Sequence, residues 1–304
     1  MSKCLVVGGA GFIGSNLVDR LIDDGHEVII IDDLSTGKEE NINKKAIWND
    51  MDIGMKTTPP YMEIIMKDVD VVFHLAAKAR VQPSIQDPIS FNDTNVTGLL
   101  NVLESCRKVG VKRFVYSSSS SVYGDVEQLP TTEEASINPK SPYALQKLIG
   151  EQYCKLYSHL YGMETVCLRY FNVYGERQLL EGAYCLVMGI FAQQRLNGEP
   201  MTINGDGEQR RDFTYVGDVV EANIKSGFSK IKWSGDVFNI GNGDNRSVNQ
   251  LADMIGGDRV NVDPVIEPKE TLADNGKARF ILDWKPTTKI EDWVKKWKKS
   301  LFSK

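Results

Sequence analysis

The stretch CLVVGGAGFIGSNLVDRLIDDGHEVIIIDD, residues 4–33, decides the fold. Residues 5–7 are apolar and predict a short buried strand, whereas residues 12–23 repeat apolar side chains at helical spacing. Residues 27–31 form a second apolar run, which predicts another strand. A glycine-rich turn joins the first strand to the helix. The stretch therefore predicts a β-α-β unit, the building block of a parallel sheet.

The glycines of this turn have the spacing of a phosphate-binding turn. Two overlapping patterns, GxGxxG and GxxGxxG, are formed by Gly8, Gly9, Gly11 and Gly14. Glycine allows the tight turn, lets the backbone approach a pyrophosphate and lets the helix pack closely on the strand. The first N–H groups of the helix, at Phe12 and Ile13, would face the anion. The turn therefore predicts a dinucleotide-binding site.

Asp32, at the end of the second predicted strand, bears on which dinucleotide is bound. Its carboxylate can accept hydrogen bonds from the adenosine ribose, and its charge would repel a 2′-phosphate, which favours NAD over NADP. Asp52 and Ile53 could border the adenine, although an ordinary aspartate at a strand end explains them almost as well. The small residues Ala76 and Ala77 follow a third apolar run, so their backbone could pass close to the cofactor.

Composition limits the class of protein. The chain has 304 residues, 41% of them hydrophobic, and a net charge of −5, which is unlike a protein whose main partner is nucleic acid. Its five cysteines are widely spaced and form no CxxC pair, which favours reduced thiols over disulfides or a metal site. The N-terminal apolar run is too short for a signal sequence or a membrane span. We therefore expect a cytoplasmic protein without a metal.

Two further segments carry structural predictions. TTPPY, residues 57–61, predicts a turn. The C-terminal sequence KIEDWVKKWKKSLFSK, residues 289–304, predicts a helix with one apolar face and lysines opposite. That helix could lie on a membrane surface, but docking on the rest of the protein is the favoured interpretation.

The sequence SPYALQKLIGEQYCKLY, residues 141–157, predicts a helix capped by Ser141. Tyr143 and Lys147 are four residues apart and therefore share one face. The pKa of a tyrosine is ordinarily near 10, and a nearby ammonium lowers it by favouring the phenolate. Such a pair alone usually marks a half-exposed helix face. Its position after a dinucleotide turn and a serine-rich loop instead favours a catalytic pair.

The chain resembles the extended short-chain dehydrogenase/reductase superfamily of sugar-nucleotide enzymes over essentially its whole length. The motifs that carry the resemblance are GGAGFIG (8–14), HLAA (74–77), NVTGLLNVLESC (95–106), YSSSSSVYGD (116–125), SPYALQK (141–147), RYFNVYGERQ (169–178) and NGDGEQRRDFTYVGDVVEA (204–222). The first residue of the third motif, Asn95, is assigned to the cofactor site on this basis.

The alternation of apolar strands and helices predicts an α/β fold with a Rossmann-type, doubly wound parallel sheet. The resemblance implies a smaller C-terminal α/β substrate-binding domain. The NAD-binding domain would comprise residues 1–170 and about 214–238, and the nucleotide-sugar-binding domain residues 171–213 and 239–304. The resemblance also suggests a homodimer through helices near residues 89–109 and 143–160.

The resemblance implies an isomerase that inverts C4 of a UDP-hexose through a transient 4-keto sugar, with NAD remaining bound. Tyr143 would remove the O4 proton, and Ser119 would hydrogen-bond the 4-hydroxyl. Lys147 would hold the nicotinamide ribose and lower the pKa of Tyr143. Tyr143 and Lys147 thus belong to the catalytic set and also to the cofactor site.

Two neighbouring serines bear on the reaction type. Relatives that dehydrate the sugar carry an acidic pair where this chain has Ser120 and Ser121, and relatives that decarboxylate UDP-glucuronate usually carry glutamate at the second position. Both serines are also candidate substrate contacts. Epimerisation is therefore favoured over dehydration or decarboxylation, which stay open as alternatives together with a non-enzymatic NAD-binding protein.

The second half of the chain contains the residues expected to bind the nucleotide sugar. Arg211 matches the diphosphate-binding arginine of the family, with its neighbour Arg210 interpreted as a surface arginine, and Asn172 matches a residue that contacts the diphosphate or sugar. Weaker candidates for the same pocket are Asn204 and Tyr184. A second phosphate-binding arginine of the family is replaced here by Pro264, and Lys269 could supply the charge instead.

Thr271 and Arg80 bear on the identity of the sugar. The residue aligned with Thr271 sets the space beside the C2 substituent, and a small residue there leaves room for an N-acetyl group. We therefore expect UDP-GlcNAc and UDP-GalNAc as substrates, with UDP-glucose and UDP-galactose left open as further ones. Arg80 lies in a loop that faces the sugar in relatives. It could pair with a uronate, which would make the protein a UDP-glucuronate 4-epimerase. It could equally point to solvent or cap a helix, which is the favoured interpretation.

Overall fold

The computed structural model describes residues 1–180, 182, 185–265 and 268–302. The strands are β1 (Lys3–Val7), β2 (Glu27–Asp32), β3 (Ile47–Asp50), β4 (Val71–His74), β5 (Arg113–Ser119), β6 (Glu164–Tyr170), β7 (Val173–Tyr174), β8 (Met201–Asn204), β9 (Arg210–Asp212), β10 (Thr214–Tyr215), β11 (Asp236–Ile240), β12 (Asn245–Ser247) and β13 (Arg259–Val262). The helices are α1 (Phe12–Asp23), α2 (Pro59–Ile65), α3 (Val81–Gln86), α4 (Pro88–Asn92), α5 (Leu99–Val109), α6 (Pro142–Tyr161), α7 (Val187–Leu196), α8 (Val216–Gly227), α9 (Val248–Ile255), α10 (Gly276–Ile281) and α11 (Ile290–Phe302).

The central sheet in the described part of the chain has seven parallel strands in the order β3-β2-β1-β4-β5-β6-β11. The chain builds one half outward from β1 and then returns to start the other half with β4. In such sheets, ligands bind beyond the carboxyl ends of the strands, at the point where the strand order reverses. Here that point lies between β1 and β4. The predicted Rossmann-type doubly wound sheet is thus confirmed.

Helices cover both faces of this sheet. On one face, α1 and α8 pack against each other and against the strands, with Leu17 of α1 and Val219 of α8 fully buried in the same apolar cluster. On the other face, α2, α5 and α6 bury a second cluster that includes Leu103 and Cys154. The five cysteines are all buried thiols. The inner strands are therefore enclosed from above and below, which explains their largely apolar sequences, whereas the edge strand β3 is only partly covered.

The predicted β-α-β unit is confirmed almost to the residue. Helix α1 spans Phe12–Asp23, as its apolar spacing predicts, and the flanking strands are Lys3–Val7 and Glu27–Asp32. The prediction of a turn over residues 57–61 was wrong in its second half, because α2 begins at Pro59. Proline suits the first turn of a helix, where the missing N–H has no partner to lose. Full burial of Met62 then fixes this short helix on the core.

In the described residues of the C-terminal part, three two-stranded sheets lie with the remaining helices. The strand pairs are β7 with β10, β8 with β13, and β9 with β12. Helix α11 buries Ile290, Trp293 and Val294 in a cluster that also contains Tyr174 and Phe213. The Trp293 ring packs edge-on against Tyr174 with ring centroids 5.3 Å apart. The prediction that the last helix docks on the protein is thus confirmed, and within the described ranges no helix has the length and apolarity needed to cross a membrane.

Candidate active site

The glycine turn after β1 is packed so tightly that side chains are excluded. Gly8 has φ +87°, and a Cβ on it would lie 2.5 Å from the backbone nitrogen of Ala76. A Cβ on Gly14 would lie 2.0 Å from the Gly8 carbonyl oxygen. Because α1 begins at Phe12, the unbonded N–H groups of its first turn, including that of Ile13, face this turn. The turn leaves a cradle lined by backbone, which suits a pyrophosphate.

Asp32 closes the cradle on the β2 side. Its carboxylate is almost fully buried and accepts hydrogen bonds from the Ala10 N–H and the Leu34 N–H, both at 2.9 Å. Burial raises the pKa of Asp32, and the two backbone donors oppose that effect. The carboxylate is thus fixed at the end of β2 beside the glycine turn. This is where the ribose-binding carboxylate was expected.

The ends of β3 and β4 place the other residues predicted to bind the cofactor. Ala76 and Ala77 directly follow β4, and the Ala76 N–H donates to the carbonyl oxygen of Val7 at 2.8 Å. Asp52 accepts a hydrogen bond from the Gly54 N–H at 2.8 Å, whereas the Ile53 side chain points into the core and is buried. Contacts of these residues with a cofactor stay predictions.

Asn95 is fully engaged within the protein. Its Oδ1 accepts from the Lys78 N–H, and its Nδ2 donates to the Lys78 carbonyl oxygen and to Gln146 Oε1, all at 2.9 Å. Asn95 is buried and lies in a π-helical turn, Asp93–Gly98, that leads into α5. Within this structure it fastens the loop after Ala77 to α6. Its direct contact with a cofactor stays a prediction.

The serine loop lies at the end of β5. Ser119 ends the strand and caps a short 3₁₀ helix, Ser120–Tyr123, by accepting the Ser121 N–H at 3.2 Å. The Ser121 Oγ is buried and has no hydrogen-bond partner among the described residues. Ser120 is half-buried. The run of serines is therefore an ordered strand end and turn, with Ser119 at the junction.

Tyr143 lies next to this loop at the start of α6, which is capped by Ser141 as predicted. Its phenol is half-buried and lies close enough to the Ser119 hydroxyl for that hydroxyl to favour the phenolate. Burial raises the pKa of Tyr143, while the Ser119 hydroxyl and the positive charge of Arg80 act to lower it. The structure thus brings Ser119 and Tyr143 together, although they are far apart in sequence and lie on different elements.

Lys147 lies one helical turn after Tyr143 and is buried. Its ammonium donates to the Ser117 carbonyl oxygen at 2.7 Å and lies 6.0 Å from the centre of the Tyr143 ring. Burial lowers the pKa of Lys147 to about 8, and the nearby Cys154 and Glu151 oppose that shift. The ammonium is therefore still mostly charged at neutral pH, and it lies where it can favour the Tyr143 phenolate.

A second group of predicted residues meets around β9. Asn172 follows β6 and donates to the Asp212 carbonyl oxygen at 3.0 Å and to Thr271 Oγ1 at 3.4 Å. Thr271 Oγ1 also accepts the Asp212 N–H at 3.3 Å, and the Thr271 N–H donates to the Arg210 carbonyl oxygen at 3.1 Å. Because Arg211 lies between Arg210 and Asp212, three residues predicted to bind substrate share this corner.

The two adjacent arginines of β9 have different environments. Arg210 is half-buried, and its guanidinium donates to the side chain and the backbone carbonyl of Asn245 at 2.7 and 3.1 Å. It therefore joins β9 to β12, which corrects its interpretation as a surface arginine. Arg211 is half-buried and donates to the Arg210 carbonyl oxygen at 2.8 Å. Successive side chains on a strand point to opposite faces, so Arg211 faces away from the Asn245 contact.

The remaining candidates are less closely grouped. Asn204 ends β8, and its carbonyl oxygen accepts a hydrogen bond from Gln209 at 3.1 Å. Lys269 is exposed, and its carbonyl oxygen accepts the Arg210 N–H at 2.9 Å. Tyr184 lies outside the described residues. Arg80 precedes α3 with φ +90°, is half-buried, and is close enough for its charge to act on Tyr143.

Three buried charged residues near the site were not singled out from the sequence: Glu151, Arg169 and Asp212. Asp212 accepts N–H groups from Asn242 at 2.7 Å, Gly243 at 2.9 Å and Ala273 at 3.0 Å, and burial raises its pKa to about 6. One signal for Glu151 was available, since it continues the four-residue spacing of Tyr143 and Lys147 along α6.

The chain matches known proteins over nearly its whole length. A profile of the NAD-dependent epimerase/dehydratase family matches residues 4–241. The UDP-glucose 4-epimerase of Mycolicibacterium smegmatis is 36% identical over 311 residues, which cover 97% of this chain and 96% of the relative. A crystal structure of UDP-glucose 4-epimerase from Thermotoga maritima with UDP-glucose is 39% identical, with a TM-score of 0.92 and coverage of 98% of this chain and 99% of that one.

Two further solved structures carry different sugars. The UDP-N-acetylglucosamine 4-epimerase of Methanobrevibacter ruminantium, in complex with UDP-N-acetylmuramic acid, is 38% identical with a TM-score of 0.92, and the match covers 99% of this chain and 98% of that one. The UDP-glucuronic acid 4-epimerase of Bacillus cereus, in complex with UDP-glucuronic acid and NAD, is 31% identical with a TM-score of 0.89 and coverage of 99% of both chains.

Replacing Asp32 with alanine tests the cofactor site. We expect Asp32→Ala to weaken NAD binding by about 10- to 100-fold, because it removes the carboxylate predicted to accept charge-assisted hydrogen bonds from the ribose, and to reduce the preference for NAD over NADP. The dissociation constants of both dinucleotides, measured by calorimetry, check this. Asp33→Ala is the matched control, since Asp33 is exposed and bonds only locally to Ser35. An unchanged NAD affinity in Asp32→Ala would remove Asp32 from the site.

Proposed function

The chain belongs to the NAD-dependent epimerase/dehydratase family, and we propose that it is a UDP-sugar 4-epimerase whose main substrates are UDP-GlcNAc and UDP-GalNAc. Its relatives include enzymes named for UDP-glucose, UDP-N-acetylglucosamine and UDP-glucuronic acid. The reaction at C4 is common to them, whereas the sugar differs. The observation that carries the choice of sugar is the small Thr271 in the corner formed by Asn172 and β9.

The residues at the switch point fit NAD. A Cβ at Gly8 or Gly14 would collide with the backbone packed against the turn and so disrupt the cradle, and the Asp32 carboxylate is held beside it. We propose that these residues, with Gly11 and Lys147, hold the dinucleotide. Bound there, NAD would supply reversible hydride transfer for the reaction at C4. The protein's own contribution is to orient the sugar and to manage the O4 proton.

We propose that Tyr143 holds and returns the proton of the sugar O4. Burial by itself disfavours its phenolate, so Tyr143 needs positive charge nearby to act near neutral pH. The charge of Arg80 acts in this way, and we propose that Lys147 adds to it from one helical turn away, where a hydrogen bond to the Ser117 carbonyl keeps its ammonium in place. Ser119, whose hydroxyl acts on the same phenol, would hold O4 at the same point.

The serine loop supports epimerisation over the alternative reactions. Removing water from the sugar needs an acid and a base in addition to the tyrosine, and Ser120 and Ser121 cannot supply a carboxyl group there. Ser121 Oγ is instead a buried hydroxyl without a protein partner among the described residues. Oxidation and reduction at one carbon need no further acid.

We propose that Arg211 and Asn172 bind the diphosphate, with Asn204, Lys269 and Tyr184 as further contacts. The planar guanidinium of arginine matches paired phosphate oxygens. Arg211 is held on β9 by strand pairing with β12, and Asn172 is fixed beside it through Asp212. We also propose the division of the chain into an NAD-binding unit, residues 1–170 and about 214–238, and a nucleotide-sugar unit, residues 171–213 and 239–304.

UDP-glucuronate is the second candidate substrate, and Arg80 is the observation that favours it. Arg80 is half-buried, and its charge acts on Tyr143, so the guanidinium lies near the proposed catalytic phenol. A carboxylate at C6 would gain a charge-assisted hydrogen bond from it. In the N-acetylhexosamine proposal the same charge favours the Tyr143 phenolate instead.

Replacing the tyrosine hydroxyl tests the mechanism. We expect Tyr143→Phe to lower kcat by about 10²- to 10⁴-fold, because proton transfer loses its acid–base group, while NAD and UDP-sugar affinities stay nearly unchanged. The rate is followed by proton NMR of the epimer, and the affinities by calorimetry. Tyr153→Phe, also half-buried on α6, is the control and should keep full activity. Normal turnover in Tyr143→Phe would refute the mechanism.

A panel of three sugars tests the substrate. The protein is incubated without added cofactor with UDP-GlcNAc, UDP-glucose or UDP-glucuronate, and products are resolved by proton NMR. We expect the C4 epimer of the N-acetyl sugar to form. Thr271→Tyr should then lower kcat/KM for UDP-GlcNAc by about 10- to 100-fold relative to UDP-glucose by filling the space beside C2, whereas Thr271→Ser should not. Turnover of UDP-glucuronate alone would contradict the choice of an N-acetyl sugar and would indicate that Arg80 determines the specificity.

We also propose a homodimer through the helices near residues 89–109 and 143–160. Helix α6 exposes Leu145, Leu156 and Leu160, and Ile89 of α4 is 75% exposed. Several large apolar side chains on neighbouring helices are typical of a surface that pairs with another chain. We expect Leu156→Glu to halve the molar mass measured by light scattering. Leu196→Glu, a similarly exposed leucine on α7, should leave it unchanged. A monomeric parent protein would refute the proposal.

A further inference from the structure

A buried ion pair lies directly behind the serine loop. Glu151 of α6 and Arg169 of β6 are each about 5% exposed or less. The pair is bidentate, because Arg169 Nε lies 2.8 Å from Glu151 Oε1 and the terminal nitrogen Nη2 lies 2.7 Å from Oε2. Burying two charges costs several kcal/mol, and an apolar pair of similar volume is often at least as stable. Stability alone therefore does not explain why these residues occupy the site.

The pair holds the serine loop on both sides of Ser119. Before it, the Ser118 hydroxyl donates to Glu151 Oε1 at 2.5 Å. After it, Arg169 Nη1 donates to the Tyr123 hydroxyl at 2.8 Å, and the guanidinium lies over the Tyr123 ring. The segment that contains Ser119 and the 3₁₀ turn is thus held at both ends by hydrogen bonds to the same ion pair. Any displacement of the pair would move both ends of the loop.

The same network reaches the segment that contains Thr271. The Tyr123 hydroxyl donates to Asn239 Oδ1 at 2.7 Å, and Asn239 Nδ2 donates to the Asp274 carbonyl oxygen at 3.2 Å and to that of Thr131 at 2.9 Å. Buried networks whose members are all hydrogen-bonded specify one geometry more tightly than apolar contacts do. The ion pair is therefore the centre of a network that connects the Ser119 loop with the segment beside Thr271.

We infer that Glu151 and Arg169 are positioning residues, which hold Ser119 at the distance from Tyr143 that the reaction at C4 requires. This inference rests on the proposed role of Ser119. Neither residue reaches Ser119 or Tyr143 directly in the contacts above. Both act through Ser118 and Tyr123. The expected effect is on the rate of the chemical step, because a displacement of about 1 Å in a reacting group can cost about 100-fold in rate.

A second ion pair provides a matched control. Arg113 and Glu164 join the same two strands, β5 and β6, at their amino ends, far from the serine loop. Their side chains are 11% and 26% exposed, and Arg113 also donates to backbone carbonyl groups that include that of Gly227. Glu164→Gln and Glu151→Gln are therefore the same chemical change in the same sheet, at opposite ends.

The test compares Glu151→Gln with Glu164→Gln by steady-state kinetics on the UDP-sugar that the protein epimerises. Glutamine keeps the shape of Glu151 but sets an N–H donor against the Arg169 guanidinium. We expect Glu151→Gln to lower kcat by about 10- to 100-fold with KM within about threefold, since positioning affects the transition state more than binding. Glu164→Gln should lower the unfolding midpoint and leave kcat within about twofold. An unchanged kcat in Glu151→Gln overturns the inference.

A double-mutant cycle with Ser119→Ala separates positioning from other roles. If Glu151 acts through Ser119, Glu151→Gln should lower kcat by less than about twofold in the Ser119→Ala background. Two results would overturn the inference. One is an equal loss of kcat on Glu151→Gln in the parent and Ser119→Ala backgrounds, and the other is a shift of the pH–rate profile that persists without Ser119. Either would indicate that Glu151 acts through Lys147. If Ser119→Ala itself is fully active, the proposed role of Ser119 is wrong. This outcome can be distinguished from a failure of the inference about Glu151.

Ser118→Ala keeps the test decisive if Glu151→Gln does not fold. It removes the hydroxyl that joins the loop to Glu151 and leaves the ion pair itself intact. We expect it to lower kcat by about 3- to 10-fold with an unchanged KM, in line with the loss of one hydrogen bond to a charged group. Full activity of a folded Ser118→Ala protein would overturn the inference, because it would show that the hydrogen bond to Glu151 does not position the loop.

Discussion

The close approach of the turn after β1 to α1 and to the end of β4 is the constraint on which the rest of the site depends. Gly14 meets the Gly8 carbonyl and Gly8 meets the Ala76 backbone, so neither position has room for a side chain. Because the turn is this tight, α1 begins directly at the edge of the sheet, and its unbonded N–H groups face the switch point. A looser turn would move the helix start away and leave no backbone-lined cradle.

The parallel sheet then assembles the chemistry at that edge. Asp32 ends β2 and Ser119 ends β5, while Asn172 follows β6, so groups far apart in sequence share one side of the molecule. Lys147 reaches the same edge from α6. Burial lowers the pKa of Lys147 to about 8. At Asp212, burial instead raises the pKa, to about 6. Charges held away from water reduce stability and are typical of functional sites, where each is kept by specific partners.

In the part of the site proposed to bind substrate, the buried carboxylate of Asp212 holds the chain segments together. The glycine turn has the same function in the part proposed to bind the cofactor. Asp212 accepts three backbone N–H groups, from the loop after β11 and from Ala273. Through these bonds β9, which carries Arg211, is held next to the segment of Thr271. Arg211, which we propose binds the diphosphate, and Thr271, which we propose limits the size of the sugar, therefore keep a fixed relation to each other. The Glu151–Arg169 network connects this side to the serine loop through Tyr123 and Asn239.

The sequence by itself determined the features that depend on neighbours along the chain. The bounds of α1, the glycine turn, Asp32, the Ser141 cap and the shared face of Tyr143 and Lys147 all follow from local spacing, because helix periodicity and turn geometry act over a few residues. Only the tertiary structure decided where Arg210, Asn95 and the segment after residue 58 belong. Arg210 bonds to Asn245, Asn95 to Lys78 and Gln146, and α2 is fixed by burial of Met62. The same holds for Glu151 and Arg169, whose contacts join residues of distant elements. A charged side chain is normally solvated, and only the packing of α6 against β5 and β6 makes these two buried partners.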